Sequence, residues 1–452
     1  MAYNPGQRIC ILGGGPSGLS MAMYLEQAGY EHVTILEKSD RIGGKCCSPL
    51  QLGKHYEMGA IMGVPSYHAV KECMAFAGIA ADGPKMERDF RRIDGTVYEP
   101  FHPEDESELK DLQRQLRKLG LLLMRTYQGY NTCNHRGILN GSYEGFLPQK
   151  PDQWVSGTNE ALSDLSLSFS DWCAKHEVPL IEKVWAEPFT GFGYGYFDEI
   201  PAAYVLKYLD FDTMMSFMRN DLLTWKDGTE SIWQSVNRKL KHPAVCNALV
   251  SEIIRKDGQV QVAWNGNTES FDTLIVTSPL DQFCKYADVS DKERELFAKI
   301  RTEAYDTMAV LTDPSAPRSS CFFDNLLPKR LGHLMVAYSR WSKEPEQPIV
   351  TYALRCHTGE KEMTYEDSKA LVLEDLEHCG VKVRQILNEA SWYYFPHLSP
   401  KDYAEGWYDQ VEAMQGENNT YYAGEVMCFG NMEETAEYAK ELTARFFARK
   451  PL

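Results

Sequence analysis

The sequence lacks the features that define several large classes of protein. No apolar run approaches the roughly 18 residues of a membrane-spanning helix, so we expect no transmembrane segment. The first strand is predicted at Arg8, which leaves no room for a secretory signal peptide. The 12 cysteines include no C-x-x-C pairs at zinc spacing, and no other metal-ligand pattern or Ser-His-Asp arrangement is found. We therefore expect a cytoplasmic protein with reduced thiols and no bound metal.

Positive charge is scarce relative to negative charge. The chain has 47 Lys and Arg residues against 64 Asp and Glu residues, which gives a formal net charge of −17 at pH 7. Because this charge repels nucleic acid and anionic membranes, neither is expected as a partner, although a lipid held inside the protein is not excluded. With 452 residues, the chain is long enough for two intertwined domains and a large buried cofactor. The oligomeric state stays open.

The N-terminal segment has the pattern of a dinucleotide-binding β-α-β unit. A strand from Arg8 to Leu12 leads into the glycine turn Gly13-Gly-Gly15-Pro16-Ser17-Gly18, and a helical stretch follows. Gly13 permits the tight bend, Gly15 lets backbone N–H groups approach a pyrophosphate, and Gly18 lets the helix pack closely on the sheet. The segment therefore predicts a phosphate site at the helix N-terminus.

Two further features indicate FAD. Glu37 ends the next predicted strand, 24 residues after Gly13, where its carboxylate can accept hydrogen bonds from both ribose hydroxyls of an adenosine. The pair Gly43-Gly44 follows, with Arg41 before it and Lys45 after it, as FAD proteins need where the cofactor continues into a second domain. A lone G-x-G-x-x-G is a weak signal, but the combination favours an FAD site over a chance loop.

Later segments of the chain carry predictions about local structure. Two of them, residues 186–197 and 200–220, each have two interpretations. Aromatic residues alternate with glycines over residues 186–197, which suits contact with a flat ligand or an aromatic turn in a core. The Met-rich and aromatic residues 200–220 suit plain core or an apolar tunnel. An amphipathic helix is predicted over 104–127, and an insertion or lid loop over 134–160. A hairpin turn is predicted at Lys256-Asp-Gly258.

The C-terminal region completes the predicted cofactor site. A strand ends in Ala423-Gly424-Glu425, which can place a carboxylate on the ribityl chain of a flavin. A helix starting near Met432 would direct its N-terminal dipole at the pyrimidine edge of the flavin, where negative charge accumulates on reduction.

These motifs together resemble the flavin amine oxidase superfamily, over about Arg8 to Phe447. Longer runs are similar to the microbial FAD-dependent polyenoic fatty acid isomerases, also called linoleate isomerases. These runs are Tyr56-Glu-Met-Gly-Ala-Ile-Met-Gly-Val-Pro-Ser-Tyr67, Phe192-Gly-Tyr-Gly, Pro201-Ala-Ala-Tyr-Val-Leu-Lys-Tyr-Leu-Asp210, Thr224-Trp-x-Asp227-Gly-Thr229 and Trp392-Tyr-Tyr-Phe-Pro-His397. The lid loop is longer than that family leads us to expect, which leaves cap shape and product regiochemistry open.

The resemblance implies an α/β fold with a Rossmann-like FAD-binding domain, intertwined with an α+β, sheet-based substrate domain and a helical cap. The predicted division assigns residues 1–85, 225–285 and 410–452 to the FAD-binding domain. Residues 86–224 form the cap and part of the substrate domain, and residues 286–409 form the rest of the substrate domain.

The resemblance also implies site residues. FAD contacts are expected at Gly15, Ser17, Glu37, Lys38, Gly44, Lys45, Gly59, Ala60, Ile61, Val250 and Glu425, and the residue patterns add Gly13, Pro16, Gly18 and Met432. Arg88 and Phe192 correspond to residues that hold and gate the fatty-acid carboxylate, and Tyr194 is a further candidate for substrate binding. Without the resemblance, an isolated arginine is more often part of a surface salt bridge.

The implied activity moves a double bond of a free, linoleate-like fatty acid into conjugation. A hydride from the bis-allylic carbon would pass to flavin N5 and return at a terminal carbon of the pentadienyl cation, which requires an apolar tunnel but no side-chain base. His397 is then either a proton donor or a structural histidine. Two alternatives stay open: an oxidase or desaturase of the same fold, and a flavin-bearing binding protein without turnover.

Overall fold

The protein, described by a computed structural model, arranges most of its strands in two sheets and covers them with helices. The structure describes residues 3–101, 104–125, 160–208, 211–313, 319–327, 329–341, 344, 346–357 and 363–448. The lid loop predicted at residues 134–160 lies outside these residues except at its last position. Within the described ranges, every helix is too short or too polar to span a lipid bilayer.

The first sheet is parallel and joins strands that are far apart in the chain. Arg8–Leu12 pairs with His32–Leu36 on one side and with Thr273–Val276 on the other, and Thr420–Tyr422 extends the sheet beyond the latter. Four of the five residues of Arg8–Leu12 are buried, as expected for a strand covered on both faces. Because the strands are parallel, their carboxyl ends meet at one edge. This confirms the predicted α/β class and its Rossmann-like unit.

Helix Pro16–Gln27 follows the first strand after a tight glycine turn. Gly13 has φ +107°, a conformation that other L-amino acids rarely adopt. A Cβ atom on Gly18 would lie 2.0 Å from the carbonyl oxygen of Gly13, so only glycine lets the helix approach the turn this closely. The same helix packs against the C-terminal helix Met432–Phe446. The bend and the close packing predicted for these two glycines are therefore observed.

The second sheet has six strands and is antiparallel except at one edge. Its order is Val383–His397, Arg301–Thr312, Ile349–His357, Leu334–Tyr338, Ser320–Phe322 and Asp89–Arg91, and the last two strands pair in parallel. Helix Tyr365–His378 packs on this sheet. Because the edge strand comes directly after Arg88, it brings that arginine to the sheet.

Helices dominate the described residues between the edge strand and residue 224. They are Glu106–Arg125, Glu160–Leu165, Phe169–Lys175, Leu180–Trp185, Ala202–Tyr208 and Phe211–Arg219, with a 3-10 turn at Thr190–Phe192. The amphipathic helix predicted over 104–127 is confirmed, and its Leu119 and Leu123 are buried. The Met-rich residues 200–220 are not uniformly core, since Met218 is 60% exposed. The division of the chain into domains stays a prediction.

The remaining elements are small. A three-stranded antiparallel sheet contains Val250–Lys256, Gln259–Trp264 and Asn267–Phe271, and a hairpin pairs Leu50–Gln51 with Lys54–His55. The turn predicted at residues 256–258 is confirmed, with positive φ at Asp257 and Gly258. Other helices are Ala69–Ala77, Glu230–Lys239, Leu280–Phe283, Asp291–Phe297, Pro400–Ala404 and Trp407–Ala413, and 3-10 turns lie at Phe323–Asn325, Glu417–Asn419 and Glu425–Met427.

A buried ion pair joins the N-terminal segment to the second sheet. Glu57 is fully buried, and its carboxylate accepts hydrogen bonds from Arg340 Nη1 at 2.8 Å, Ser48 Oγ at 2.6 Å and the Thr229 backbone N–H at 3.0 Å. The Tyr352 hydroxyl donates to the Glu57 carbonyl oxygen at 2.7 Å. These bonds fix the backbone just before Gly59 and Ala60, two of the predicted cofactor contacts.

Candidate active site

A cavity of about 550 Å³ lies between the two sheets. Every predicted cofactor residue except Gly18 lines it, as do Phe192 and Tyr194. The predicted cofactor residues along its wall are Gly13, Gly15, Pro16, Ser17, Glu37, Lys38, Gly44, Lys45, Gly59, Ala60, Ile61, Val250, Glu425 and Met432. Segments that are hundreds of residues apart therefore converge on one space, while Gly18 contributes through helix packing behind it.

The glycine turn leaves polar groups free at one end of the cavity. Helix Pro16–Gln27 has Gly15 at its N-cap and no side-chain cap, so its first N–H groups are available to an anion. The buried Ser17 Oγ has no hydrogen-bond partner among the residues that the structure describes. Buried hydroxyls are almost always paired, so this one fits a ligand oxygen. A dinucleotide pyrophosphate suits both features.

The carboxylate of Glu37 is held in a fixed orientation beside this turn. It accepts backbone N–H groups from Gly14 at 2.7 Å and Ser39 at 2.8 Å, and the side chain is almost fully buried. A carboxylate has about four acceptor positions, so two N–H donors leave capacity for the two ribose hydroxyls of an adenosine.

Replacing this carboxylate is expected to weaken cofactor binding. Glu37→Ala removes two acceptors of ribose hydrogen bonds, so the dissociation constant of FAD should rise about 10- to 100-fold, equivalent to about 1.5–3 kcal/mol. Titration of apoprotein with FAD, followed by flavin fluorescence, measures this. The exposed Glu31→Ala serves as the control and should bind FAD as the wild type does. An unchanged dissociation constant in Glu37→Ala would refute the role in ribose binding.

An ion pair forms part of the wall of the cavity. Lys45 Nζ pairs with Glu425 Oε2 and lies 5.7 Å from the centre of the Tyr394 ring. Gly424 precedes this glutamate with φ +88°, and a Cβ atom there would lie 2.7 Å from the Thr277 carbonyl oxygen. The predicted strand ending in Gly-Glu therefore needs its glycine for close approach of two backbones.

The C-terminal helix begins at Met432, as predicted. The Asn431 side chain caps it by accepting the Glu434 N–H at 2.8 Å, and both Asn431 and Met432 line the cavity. Behind the cap, Glu434 pairs with the fully buried Lys207 at 2.7 Å, and burial raises the pKa of Glu434 to about 7. The positive end of the helix dipole therefore faces the cavity.

Three stacked tyrosines, here called the tyrosine wall, line part of the cavity. The rings of Tyr194 and Tyr394 lie 5.5 Å apart at 22°, and those of Tyr305 and Tyr394 lie 5.2 Å apart at 23°. Burial raises the pKa of all three phenols, so they remain neutral. A Cβ atom on Gly193 would lie 2.6 Å from the Tyr305 ring. This glycine therefore makes room for the protein's own ring, which favours the core interpretation at this position.

Arg88 lies outside the main cavity, in a small adjacent chamber of about 10 Å³. Its Nη1 donates to Glu187 Oε1 at 2.5 Å, and its Nη2 donates to the Phe217 carbonyl oxygen. Phe192 and Ile61 line both spaces and so separate them. Arg88 therefore does form a salt bridge, as the alternative interpretation has it, but the pair is largely buried and does not lie on the surface.

The remaining residues to place are His397 and two that the sequence did not single out. His397 does not line the cavity; it is buried and stacks on Phe395, and its Nδ1 lies 2.8 Å from the Phe395 carbonyl oxygen. This favours the structural interpretation of the histidine. Two residues were not predicted: Tyr305, whose strand carries no motif, and Glu187, which lies within the aromatic segment 186–197. Residues 301–312 form a strand that is mostly buried and lacks alternation of apolar and polar positions, so no short pattern locates the tyrosine.

Comparison with known proteins covers nearly the whole chain. The model of the family described as flavin containing amine oxidoreductase matches residues 16–439. A CLA-producing fatty acid isomerase from P. acnes is 44% identical, and its crystal structure has a TM-score of 0.90 over 99% of this chain and 100% of that one. A redesigned triple mutant of putrescine oxidase is 14% identical, with a TM-score of 0.68 over 97% of this chain and 98% of that one. The latter likeness shows the fold alone.

The curated relatives match shorter parts. Polyamine oxidase 1 from Zea mays is 29% identical over 119 residues, which are 25% of this chain and 24% of the maize protein. The chain spans less than two thirds of the length of the curated relatives that it matches.

Proposed function

The chain belongs to the flavin containing amine oxidoreductase family, and from that premise we propose that it isomerises free polyunsaturated fatty acids to conjugated dienes. It is an enzyme, and its cofactor is FAD. One observation carries the choice among the reactions of this fold: the 44% identity with a CLA-producing fatty acid isomerase over 99% of the chain. The proposed substrate is a linoleate-like acid, in which a methylene carbon separates two double bonds.

The residues around the cavity fit this cofactor. Ser17 and the free helix N-terminus would bind the pyrophosphate, and Glu37 would bind the ribose of the adenosine. Lys45 and Glu425 would lie along the ribityl chain. When bound, FAD supplies N5, which accepts a hydride from the substrate and returns it, so the overall reaction involves no net oxidation. The N-terminus of helix Met432–Phe446 would stabilise negative charge on a flavin ring bound beside it.

The tyrosine wall supports a reaction in which the acyl chain becomes positively charged. A pentadienyl cation on the substrate would be attracted to the π-faces of neutral aromatic rings, of which Tyr194 and Tyr394 line the cavity. Tyr194 is buried and stacks on the half-buried Tyr394, an arrangement that limits the access of water to a reactive cation. Because the transfer needs no general base, the structural position of His397 agrees with the proposal.

Arg88 and Phe192 support recognition of a free acid. Arg88 offers a planar fork of N–H donors, which matches the geometry of a carboxylate. Phe192 separates the arginine from the cavity, so rotation of this ring would open the route between them. We propose that the carboxylate end of the substrate reaches Arg88 while its double bonds lie beside the tyrosines.

Incubation of the purified holoenzyme with linoleate in the absence of oxygen tests the proposed function. The product should keep the mass of linoleate, absorb as a conjugated diene, and accumulate well beyond one equivalent of enzyme. The flavin absorbance should be unchanged at the end, because the hydride returns to the substrate. Mass spectrometry and ultraviolet absorbance measure the two properties of the product.

The outcome separates the isomerase from its alternatives. Steady flavin bleaching without oxygen, or peroxide release with oxygen, would identify an oxidase or desaturase. A yellow protein that leaves linoleate unchanged would identify a binding protein. Met218→Ala provides a matched control, because this methionine is 60% exposed and does not line the cavity, so its activity should equal that of the wild type.

A further inference from the structure

The chamber that contains Arg88 also contains the carboxylate of Glu187. This group would compete with the carboxylate of a bound fatty acid for the arginine. Glu187 Oε1 accepts from Arg88 Nη1 at 2.5 Å, and the Cys321 thiol lies 3.7 Å from the same oxygen. The Glu187 side chain is only 9% exposed and that of Arg88 only 14%. Each terminal nitrogen of the guanidinium thus already donates one hydrogen bond, because Nη2 donates to the Phe217 carbonyl oxygen.

The other titratable groups that line the chamber add no positive charge. Glu87 and Tyr338 line the chamber with Cys321, and Asp89 on the adjoining strand pairs with Arg91 at 2.8 Å. Among the described lining residues, Arg88 is the only cation. Burial raises the pKa of Glu187, and the neighbouring guanidinium offsets part of that rise. Protonation of this carboxyl group is therefore easier than that of an exposed glutamate.

We propose that binding of a fatty-acid carboxylate at Arg88 is coupled to the uptake of a proton by Glu187. The inference rests on the proposed function, because it takes Arg88 as the anchor of the free acid. An incoming carboxylate would place two anions beside one cation in a buried chamber, and an uncompensated buried charge costs several kcal/mol. A proton from solvent removes the excess charge, and it returns to solvent when the ligand leaves.

Protonated Glu187 also gains a function in the complex. Its O–H can donate a hydrogen bond to the ligand carboxylate while Arg88 turns its fork toward the same group, and such charge-assisted bonds are strong. A methyl ester brings no negative charge, so it leaves the Arg88–Glu187 pair intact and takes up no proton. The chamber would thus distinguish free acids from esters by charge.

The sign of the pH dependence follows from linkage. Since the complex holds one more proton than the free protein wherever Glu187 is ionised, affinity for a free acid should fall about tenfold per pH unit above the pKa of Glu187 in the free protein. Below that pKa the affinity should be flat. Affinity for an ester should not change with pH through this group.

Calorimetric titration of the holoenzyme with oleate tests the coupling. Oleate lacks a bis-allylic carbon, so binding is observed without turnover. Titrations in phosphate and in Tris, which differ in ionisation enthalpy, count the protons exchanged. We expect about one proton taken up per oleate by the wild type, and about none by Glu187→Gln or with methyl oleate. Glu182→Gln, a nearby glutamate bonded to Ser170 and outside the chamber, should keep the uptake.

Each possible result tests either the proton coupling or the proposed function. Oleate binding without proton uptake in the wild type would overturn the coupling and leave the fatty acid proposal standing. Uptake that persists in Glu187→Gln would assign the proton to the ligand and overturn the role of this glutamate. Absence of binding by oleate and linoleate alike would overturn the proposed function itself. If Glu187→Gln fails to fold, a pH-independent affinity of the wild type for oleate would still refute the coupling.

Discussion

Glu57→Ala is expected to lower the free energy of unfolding by about 3–5 kcal/mol, one of the two largest effects that the structure predicts. The substitution leaves the Arg340 guanidinium, which is 2% exposed, without its carboxylate. It also removes the acceptor of the Ser48 hydroxyl and of the Thr229 N–H. Breaking a buried pair from one side is costly because the remaining charge stays desolvated. Urea unfolding, followed by circular dichroism, measures the change.

A surface ion pair supplies the comparison for this result. Glu106 pairs with Lys110 at 3.0 Å one turn along the same helix, and both side chains are more than 70% exposed. Glu106→Ala should leave the urea midpoint almost unchanged, because exposed pairs are screened by solvent. If Glu57→Ala unfolds at the same urea concentration as Glu106→Ala, the network does not hold the N-terminal segment against the second sheet.

Gly18→Ala is expected to abolish stable FAD binding and to destabilise the protein by about 3 kcal/mol. The new methyl group would lie 2.0 Å from the Gly13 carbonyl oxygen, so helix Pro16–Gln27 must move away from the turn. Because the same turn forms the phosphate site, the shift also disturbs Ser17 and the helix N-terminus. Flavin absorbance after gel filtration and the thermal midpoint of the apoprotein measure the two effects.

Gly120→Ala provides the matched substitution. This glycine lies inside helix Glu106–Arg125, and a Cβ atom there would meet nothing within 4 Å. Alanine is the better helix former, so stability should rise by up to about 1 kcal/mol and FAD content should stay the same. Retention of FAD by Gly18→Ala at the wild-type level would contradict the packing role assigned to that glycine.

The cofactor side of the site could be predicted because its physics is local. Gly13 permits a bend with positive φ, and the residues just after it begin the helix. Glu37 places a carboxylate at the end of the next strand. Each of these features involves residues within one β-α-β unit, so spacing alone reveals it. The start of the last helix at Met432 was predictable for the same reason, since Asn431 is a favourable N-cap.

The substrate side could not be predicted in this way, because its contacts depend on the second sheet. The pairing of Tyr305 with Tyr394 follows from the register of strands 301–312 and 383–397, which no short motif encodes. Glu187 meets Arg88 across about a hundred residues of sequence, so neither residue alone indicates a buried pair. The resemblance points to the arginine, whereas its partner depends on how the chain folds.

The strands of the parallel sheet are far apart in the chain, which delays formation of the sheet during synthesis. Its central strand, Arg8–Leu12, emerges from the ribosome first, yet its neighbour Thr273–Val276 follows more than 250 residues later, and Thr420–Tyr422 later still. The nascent chain must therefore carry an unpaired, apolar strand edge through most of translation, which invites aggregation and chaperone binding. FAD can then be captured only after nearly the entire chain has been made.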